Sequence, residues 1–212
     1  MGKLADLMAG LEEEAVLKLT KELLTQGQPP LSIVEQCRDG LSRVGERFAR
    51  KEYFLAELVM AAEIFREVMA IVQPHLGANE DKGALAAIVL GTVKGDIHDM
   101  GKNIVASLLS ASGFRVVDAG VDVSPNTFIE RVKESGASIL GLSALLTTAI
   151  PWMKSTIEAL NTSGLRPRVK VMVGGAVVNQ RVAESVGADF YGSDAVSAVA
   201  FCRRAAGGKD AT

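Results

Sequence analysis

Ala84-Leu-Ala-Ala-Ile-Val-Leu-Gly-Thr-Val93 runs without a charge straight into Lys94-Gly-Asp-Ile-His-Asp-Met-Gly101. A strand covered by helices on both faces has no solvated side, so it reads as continuously apolar rather than alternating. The first stretch predicts such a strand, the second its exit loop, and Lys102–Ala111 the returning helix. The same alternation repeats downstream. Strands are expected at Phe114–Asp118, Ile139–Leu142, Val169–Val173 and Ala188–Tyr191. Between them, Ser124-Pro125 caps and opens a helix to Lys133, Pro151 opens one to Leu160, and Asn179–Val186 and Ala195–Ala205 supply two more. Five strand–helix units predict a doubly wound, Rossmann-like domain over residues 83–212, with a five-stranded parallel sheet and right-handed crossovers.

Working back from Ala84, the composition changes. Residues 1–82 hold 6 of the 21 glycines, and Gln73–Gly83 is polar and reads as a linker. Leu4, Leu7, Met8, Leu11 and Ala15 keep to one helix face. Ser32 with Glu35 has the spacing of a capping box for a second helix, whose stripe is Ile33, Cys37, Leu41, Val44 and Phe48. Tyr53–Val72 carries few charges and is apolar on most sides, as a central helix or one with a second surface to cover would be. The expectation is α + α/β: a helical bundle over residues 1–78, then the sheet domain.

The bulk properties exclude several classes of function. Apolar residues make up 48% with a mean hydropathy of +0.23, enough for a real core. A net charge of −2 leaves no electrostatic footprint for nucleic acid. Two cysteines, Cys37 and Cys202, suit a reducing compartment, and no signal-peptide core is visible at Met1–Asp6. The uncharged run Ser135–Met153 contains Gly136, Gly141 and Pro151 besides several hydroxyls, which a membrane helix disfavours. A cytoplasmic protein without a membrane or nucleic-acid partner is expected.

Ligands of open α/β sheets bind beyond the carboxyl ends of the strands. Those ends here are small or hydroxylated: Gly91–Gly101, Ser143–Thr148, Gly174–Ala176, and Tyr191-Gly192-Ser193. A phosphate loop does not fit, because five residues separate Gly95 from Gly101 and Asn103 follows Lys102. A phospho-acceptor domain would end its third strand in Asp, where Ser143 stands. A zinc site needs three or four protein ligands, and His75 and His98 are the only histidines. What remains is His98 between Asp96 and Asp99. One imidazole suffices as the protein's ligand when a macrocycle supplies the other metal bonds. Asp96 can hold the second ring nitrogen, and Ser143 can bond Asp96 in turn, giving a relay able to take up or lose a proton. Asp96 and Asp99 also suit helix capping, and Met60, Met69, Met100 and Trp152 read as packing.

Asp96-Ile-His98-Asp-Met-Gly101, Ser143-Ala-Leu145 and Gly174-Gly175 stand in the order of the signature of cobalamin-binding domains, and the chain resembles that family over almost its whole length. The longer run Gly95–Val105 and the helical first domain resemble its methyl-carrying branch, the corrinoid proteins of multi-component methyltransferase systems. The resemblance implies that His98 is the axial cobalt ligand and that the cofactor's benzimidazole tail lies between strands one and three. It further implies cofactor contacts from Gly95, Asp96, Ile97, His98, Asp99, Gly101, Ser143, Leu145, Thr147, Gly174, Gly175, Tyr191, Gly192 and Ala195. Phe54, Leu58 or Met60 of the helical cap would shield a methyl group on methylcobalamin. The implied partners are a donor-specific methyltransferase, an acceptor methyltransferase using tetrahydrofolate or coenzyme M, and a reductive activation protein. A fragment of a methionine synthase, a radical mutase and a cobalamin-sensing regulator share parts of the pattern. The mutase has no use for the cap, and the regulator would need a basic recognition helix that is not visible.

Overall fold

The computed structural model describes residues 2–75 and 85–207. The expected boundaries at 78 and 83, the linker beyond His75 and the start of the first strand at Ala84 lie outside the described residues. The chain forms two compact units, one of helices and one of alternating strands and helices.

The helical unit contains α1 (Lys3–Ala9), α2 (Glu13–Thr25), α3 (Pro30–Ala49) and α4 (Leu55–Val72). The single helix expected from Leu4 to Ala15 is two. Leu11 takes a left-handed φ of 59°, the Glu12 amide bonds the Leu7 carbonyl at 3.1 Å, and the Leu11 amide bonds that of Met8 at 3.1 Å. This is a Schellman closure with leucine in the position glycine usually fills. α3 begins at Pro30, before the expected Ser32. Proline's fixed φ already suits the first helical position, so the capping box does not form, and the Ser32 hydroxyl accepts from Gln28 Nε2 at 3.2 Å. Gly40 lets α1 approach α3, since a Cβ there would lie 2.6 Å from the Ala5 carbonyl oxygen and 2.5 Å from Met8 Cβ. α4 buries Leu58, Ala61, Ile64, Phe65 and Val68 on one side. Phe54, Leu55, Val59 and Met60, around its first turns, remain exposed. Leu58, by contrast, is buried.

The second unit runs β1 (Ala87–Val93), α5 (Met100–Ala111), β2 (Arg115–Val123), α6 (Pro125–Ser135), β3 (Ile139–Ser143), α7 (Ile150–Thr162), β4 (Lys170–Gly174), α8 (Gln180–Val186), β5 (Phe190–Gly192) and α9 (Ala195–Ala205). All strands pair in parallel, in the order β2-β1-β3-β4-β5. The expected alternation holds, with shifted ends. β2 is the largest departure, running to Val123 instead of stopping at Asp118. β1 shows the two-sided burial its composition calls for, every residue from Ile88 to Val93 being buried. Val89, Phe128, Leu140, Met153 and Val171 fill one face of the sheet, and Ile88, Leu90, Leu109, Ile139 and Cys202 the other. Ser124 caps α6 as expected, accepting from the Thr127 amide at 3.2 Å, and Asn179 caps α8 by accepting from Val182 at 3.0 Å. Among the described residues no helix is long and apolar enough to cross a membrane.

Candidate functional site

The chain leaves β1 toward β2 on one side of the sheet, and β3, β4 and β5 lie on the other. Loops at such a reversal diverge and open a crevice beyond the strand ends. The residues bordering it are in register. Thr92 pairs with Ser143, Ser143 with Gly174, and Gly174 with Gly192, so a row of small residues crosses four strands at their carboxyl ends. Gly175, at φ +120°, closes the approach of two exits, because a Cβ there would fall 1.9 Å from the Ala144 carbonyl oxygen.

The loop after β1 turns at Gly95, whose φ of +80° favours glycine. Asp96, with 1% of its surface exposed, is the most buried charged residue of the loop. Its Oδ1 accepts from the His98 amide at 3.0 Å and meets His98 Nδ1 at 2.7 Å. Oδ2 accepts from the amides of Leu145 and Leu146 at 2.6 and 3.0 Å. Burial alone would push the carboxyl's pKa up. The His98 amide and ring, with the two amides beyond β3, outweigh it and hold the pKa down to about 2. An ionised carboxylate only accepts, so Nδ1 is the donor of this pair, and in the neutral imidazole Nε2 is then the nitrogen that keeps a lone pair. Buried Thr92 fixes the loop further by donating to the His98 carbonyl at 2.8 Å. The His98 side chain is itself about half exposed, at 49%.

The expected relay ends differently. Among the described residues Ser143 makes no hydrogen bond to Asp96. Four N–H donors occupy both carboxylate oxygens, two of them amides that follow Ser143 in the chain. Backbone amides hold a charge but do not pass a proton on, so Asp96 acts here as an electrostatic anchor.

Around Asp96 several large apolar side chains are exposed. Ile97 is 73% and Met100 77% exposed, and Leu145, Leu146, Val121 and Trp152 are also open. Met100 and Trp152 therefore do not pack in the core as their residue types suggest. Trp152 instead lies beside the loop, 5.1 Å below Lys94 Nζ. Thr147 is exposed at the start of a short turn, and a Cβ on Gly101 would meet nothing within 4 Å. Tyr191 is half-buried against the sheet core, and Ala195 is buried at the start of α9. Asp99 precedes α5, its carboxylate accepting from Asn103 Nδ2 at 3.1 Å. Sequence reasoning does not reach Thr92, Lys102, Asp118 or Asp122. Lys102 is almost fully buried, with Nζ 2.6 Å from Asp118 Oδ2 and 2.7 Å from Asn103 Oδ1. Asp122 Oδ1 accepts from the Gly95 amide at 2.7 Å.

Exposed apolar side chains, a row of small strand ends and one half-exposed histidine held by a buried carboxylate therefore meet at the carboxyl ends of the strands. Among the described residues no cluster could hold a metal by protein side chains alone. Models of B12 binding domains match residues 86–200 and residues 2–73, and the chain belongs to the corrinoid proteins built from these domains. A corrinoid is its cofactor. The chain is 40% identical to the dimethylamine corrinoid protein of Methanosarcina barkeri, over 93% of each chain. It is 38% identical to the trimethylamine corrinoid protein of the same organism, over 94% of this chain and 93% of the other. A cobalamin-binding protein from Desulfitobacterium hafniense DCB-2 superposes with a TM-score of 0.82 at 38% identity, covering 95% of this chain and 96% of that one. The methanol:cobalamin methyltransferase complex from Methanosarcina barkeri gives 0.85 at 26% identity, covering 97% and 79%.

Proposed function

We propose that the protein is the methyl-carrying corrinoid subunit of a methyltransferase system. The observation that carries this reading is the Asp96–His98 pair, in which a buried carboxylate meets Nδ1 of a half-exposed ring and leaves Nε2 for a ligand. When bound, the corrinoid supplies a cobalt centre that can accept a methyl group and give it up.

His98 would hold that metal through Nε2. The hydrogen bond from Nδ1 to ionised Asp96 makes Nε2 a better donor and keeps the ring from rotating. Ile97, Met100, Leu145 and Leu146 would exclude water beneath the macrocycle. Ser143, Thr147, Gly174, Gly175 and Gly192 would line the slot for the nucleotide tail, with Tyr191 and Ala195 at its far end. Gly95 and Asp99 of the exit loop, and Gly101 in the first turn of α5, would border the ligand.

The corrinoid subunit binds and carries, so turnover requires partners. These are a donor-specific methyltransferase, an acceptor methyltransferase using tetrahydrofolate or coenzyme M, and a protein that reactivates the cofactor by reduction. The relatives named for dimethylamine and trimethylamine, and the methyltransferase complex, support a methyltransferase partner. The test is to reconstitute the full chain with cobalamin and present candidate methyltransferases one donor at a time. Methyl transfer is expected with the parent chain. His98→Ala should lose the histidine-ligated absorption spectrum while keeping its far-ultraviolet circular dichroism. An unchanged spectrum in that variant would remove His98 as the ligand.

A further inference from the structure

The turn carrying Asp96 and His98 is held from the neighbouring edge strand. The pairing of β2 with β1 slips twice near its end, between Leu90 and Gly91 and between Gly91 and Val93. Leu90 faces Asp118, Gly91 faces Gly120 and Val93 faces Val123, so β2 gains one extra residue at each slip. Such bulges bend a strand and re-aim its side chains. Asp122 sits in the second, at a left-handed φ of 52°. Aspartate tolerates that conformation better than most residues, yet two bulges and a positive φ at one strand end call for a use.

The use is visible in its hydrogen bonds. Asp122 Oδ1 accepts from the Gly95 amide at 2.7 Å, and its own amide donates to the Asp96 carbonyl at 2.9 Å. The Gly95–Asp96 dipeptide is thus clamped at its first N–H and its last C=O. We propose that Asp122 is a positioning residue for the cofactor ligand. By fixing the backbone on both sides of the Gly95–Asp96 peptide, it sets the Asp96 carboxylate, which in turn orients the His98 ring. The bond from a backbone amide to a carboxylate is charge-assisted and roughly twice as strong as a neutral one. This inference rests on the reading of His98 as the ligand.

Three substitutions in the full chain separate the side chain from the backbone. Asp122→Asn keeps an acceptor oxygen and tolerates the left-handed φ. Asp122→Gly keeps the backbone and removes the acceptor, and Asp122→Ala removes the acceptor and strains the backbone. Without cofactor, exchange of the Gly95 amide followed by NMR should quicken about tenfold in the Gly and Ala variants and by only about threefold in Asn, whose neutral oxygen still accepts. With aquocobalamin added, affinity should fall about tenfold in Asp122→Gly, with partial loss of the histidine-ligated spectrum, and stay within about threefold in Asp122→Asn. Should the Ala variant fail to fold, Asp122→Gly carries the test. Faster Gly95 exchange with unchanged affinity and spectrum would reduce Asp122 to a structural brace and overturn the proposal, as would no change in either. His98→Ala in parallel keeps the two readings apart. If it loses the ligated spectrum while Asp122→Gly binds like the parent, positioning alone fails. If it too is unaffected, the ligand assignment fails.

Discussion

Asp96 is ionised although it is buried, and the reason is arithmetic of donors. Removing a carboxylate from water favours the neutral acid, but four N–H groups converge on it within 3.0 Å. With its pKa held at about 2, below the ordinary 3.8, the sign of its pH linkage is fixed. The stabilisation is fully present above about pH 4 and is lost as the pH falls toward 2, and it amounts to on the order of 2 kcal/mol. Denaturant unfolding of the cofactor-free chain should therefore show a stability gap between the parent and Asp96→Asn that narrows over that window. A gap independent of pH would mean that the carboxylate's charge is not what the four donors hold. The same residue shows what a sequence does and does not carry. Asp96, His98 and Gly101 were legible because their spacing is local. That Asp96 is met by the amides of Leu145 and Leu146, not by the Ser143 hydroxyl, depends on the exact path of a chain some fifty residues away.

At the scale of elements, the strand exits set the space available to a ligand. Gly175 and Gly101 both belong to the expected signature, yet they answer to different constraints. Gly175 has φ +120° and the Ala144 carbonyl oxygen 1.9 Å from where its Cβ would be. Gly101 lies in α5 with open space around it. Gly175→Ala should cost roughly 2–3 kcal/mol of unfolding free energy in the cofactor-free chain. Gly101→Ala should be neutral or gain up to about 1 kcal/mol from the better helix former. Equal effects in chemical denaturation would contradict this division. Strand and helix types were readable from apolar runs and caps, as at Ser124 and Ala195–Ala205. The element ends were less so. The break at Leu11 is invisible because leucine is a strong helix former, and its left-handed turn is imposed by the closing hydrogen bonds to Leu7 and Met8. β2 reads as finished at Asp118 because Gly120 and Asp122 are poor strand formers. Its bulged continuation exists through pairing with β1, which no local pattern encodes.

At the scale of the whole molecule, the chain forms two compact units. The sheet unit supplies the crevice, the anchored histidine and the row of small residues. The helical unit supplies an exposed apolar stretch on α4 from Phe54 to Met60, which accounts for a helix too apolar to be explained by its buried face alone. Cofactor ligation turns on one nitrogen. The most direct measurement is electron paramagnetic resonance of the chain reconstituted with cobalamin and reduced to cobalt(II), comparing natural-abundance with nitrogen-15 histidine. Only His75 and His98 carry the label, and His98→Ala distinguishes them. The nitrogen splitting should change with the label in the parent chain, and the labelled signal should be absent from His98→Ala. A splitting indifferent to labelled histidine, matching that of free cobalamin with its own benzimidazole on the metal, would contradict ligation by His98.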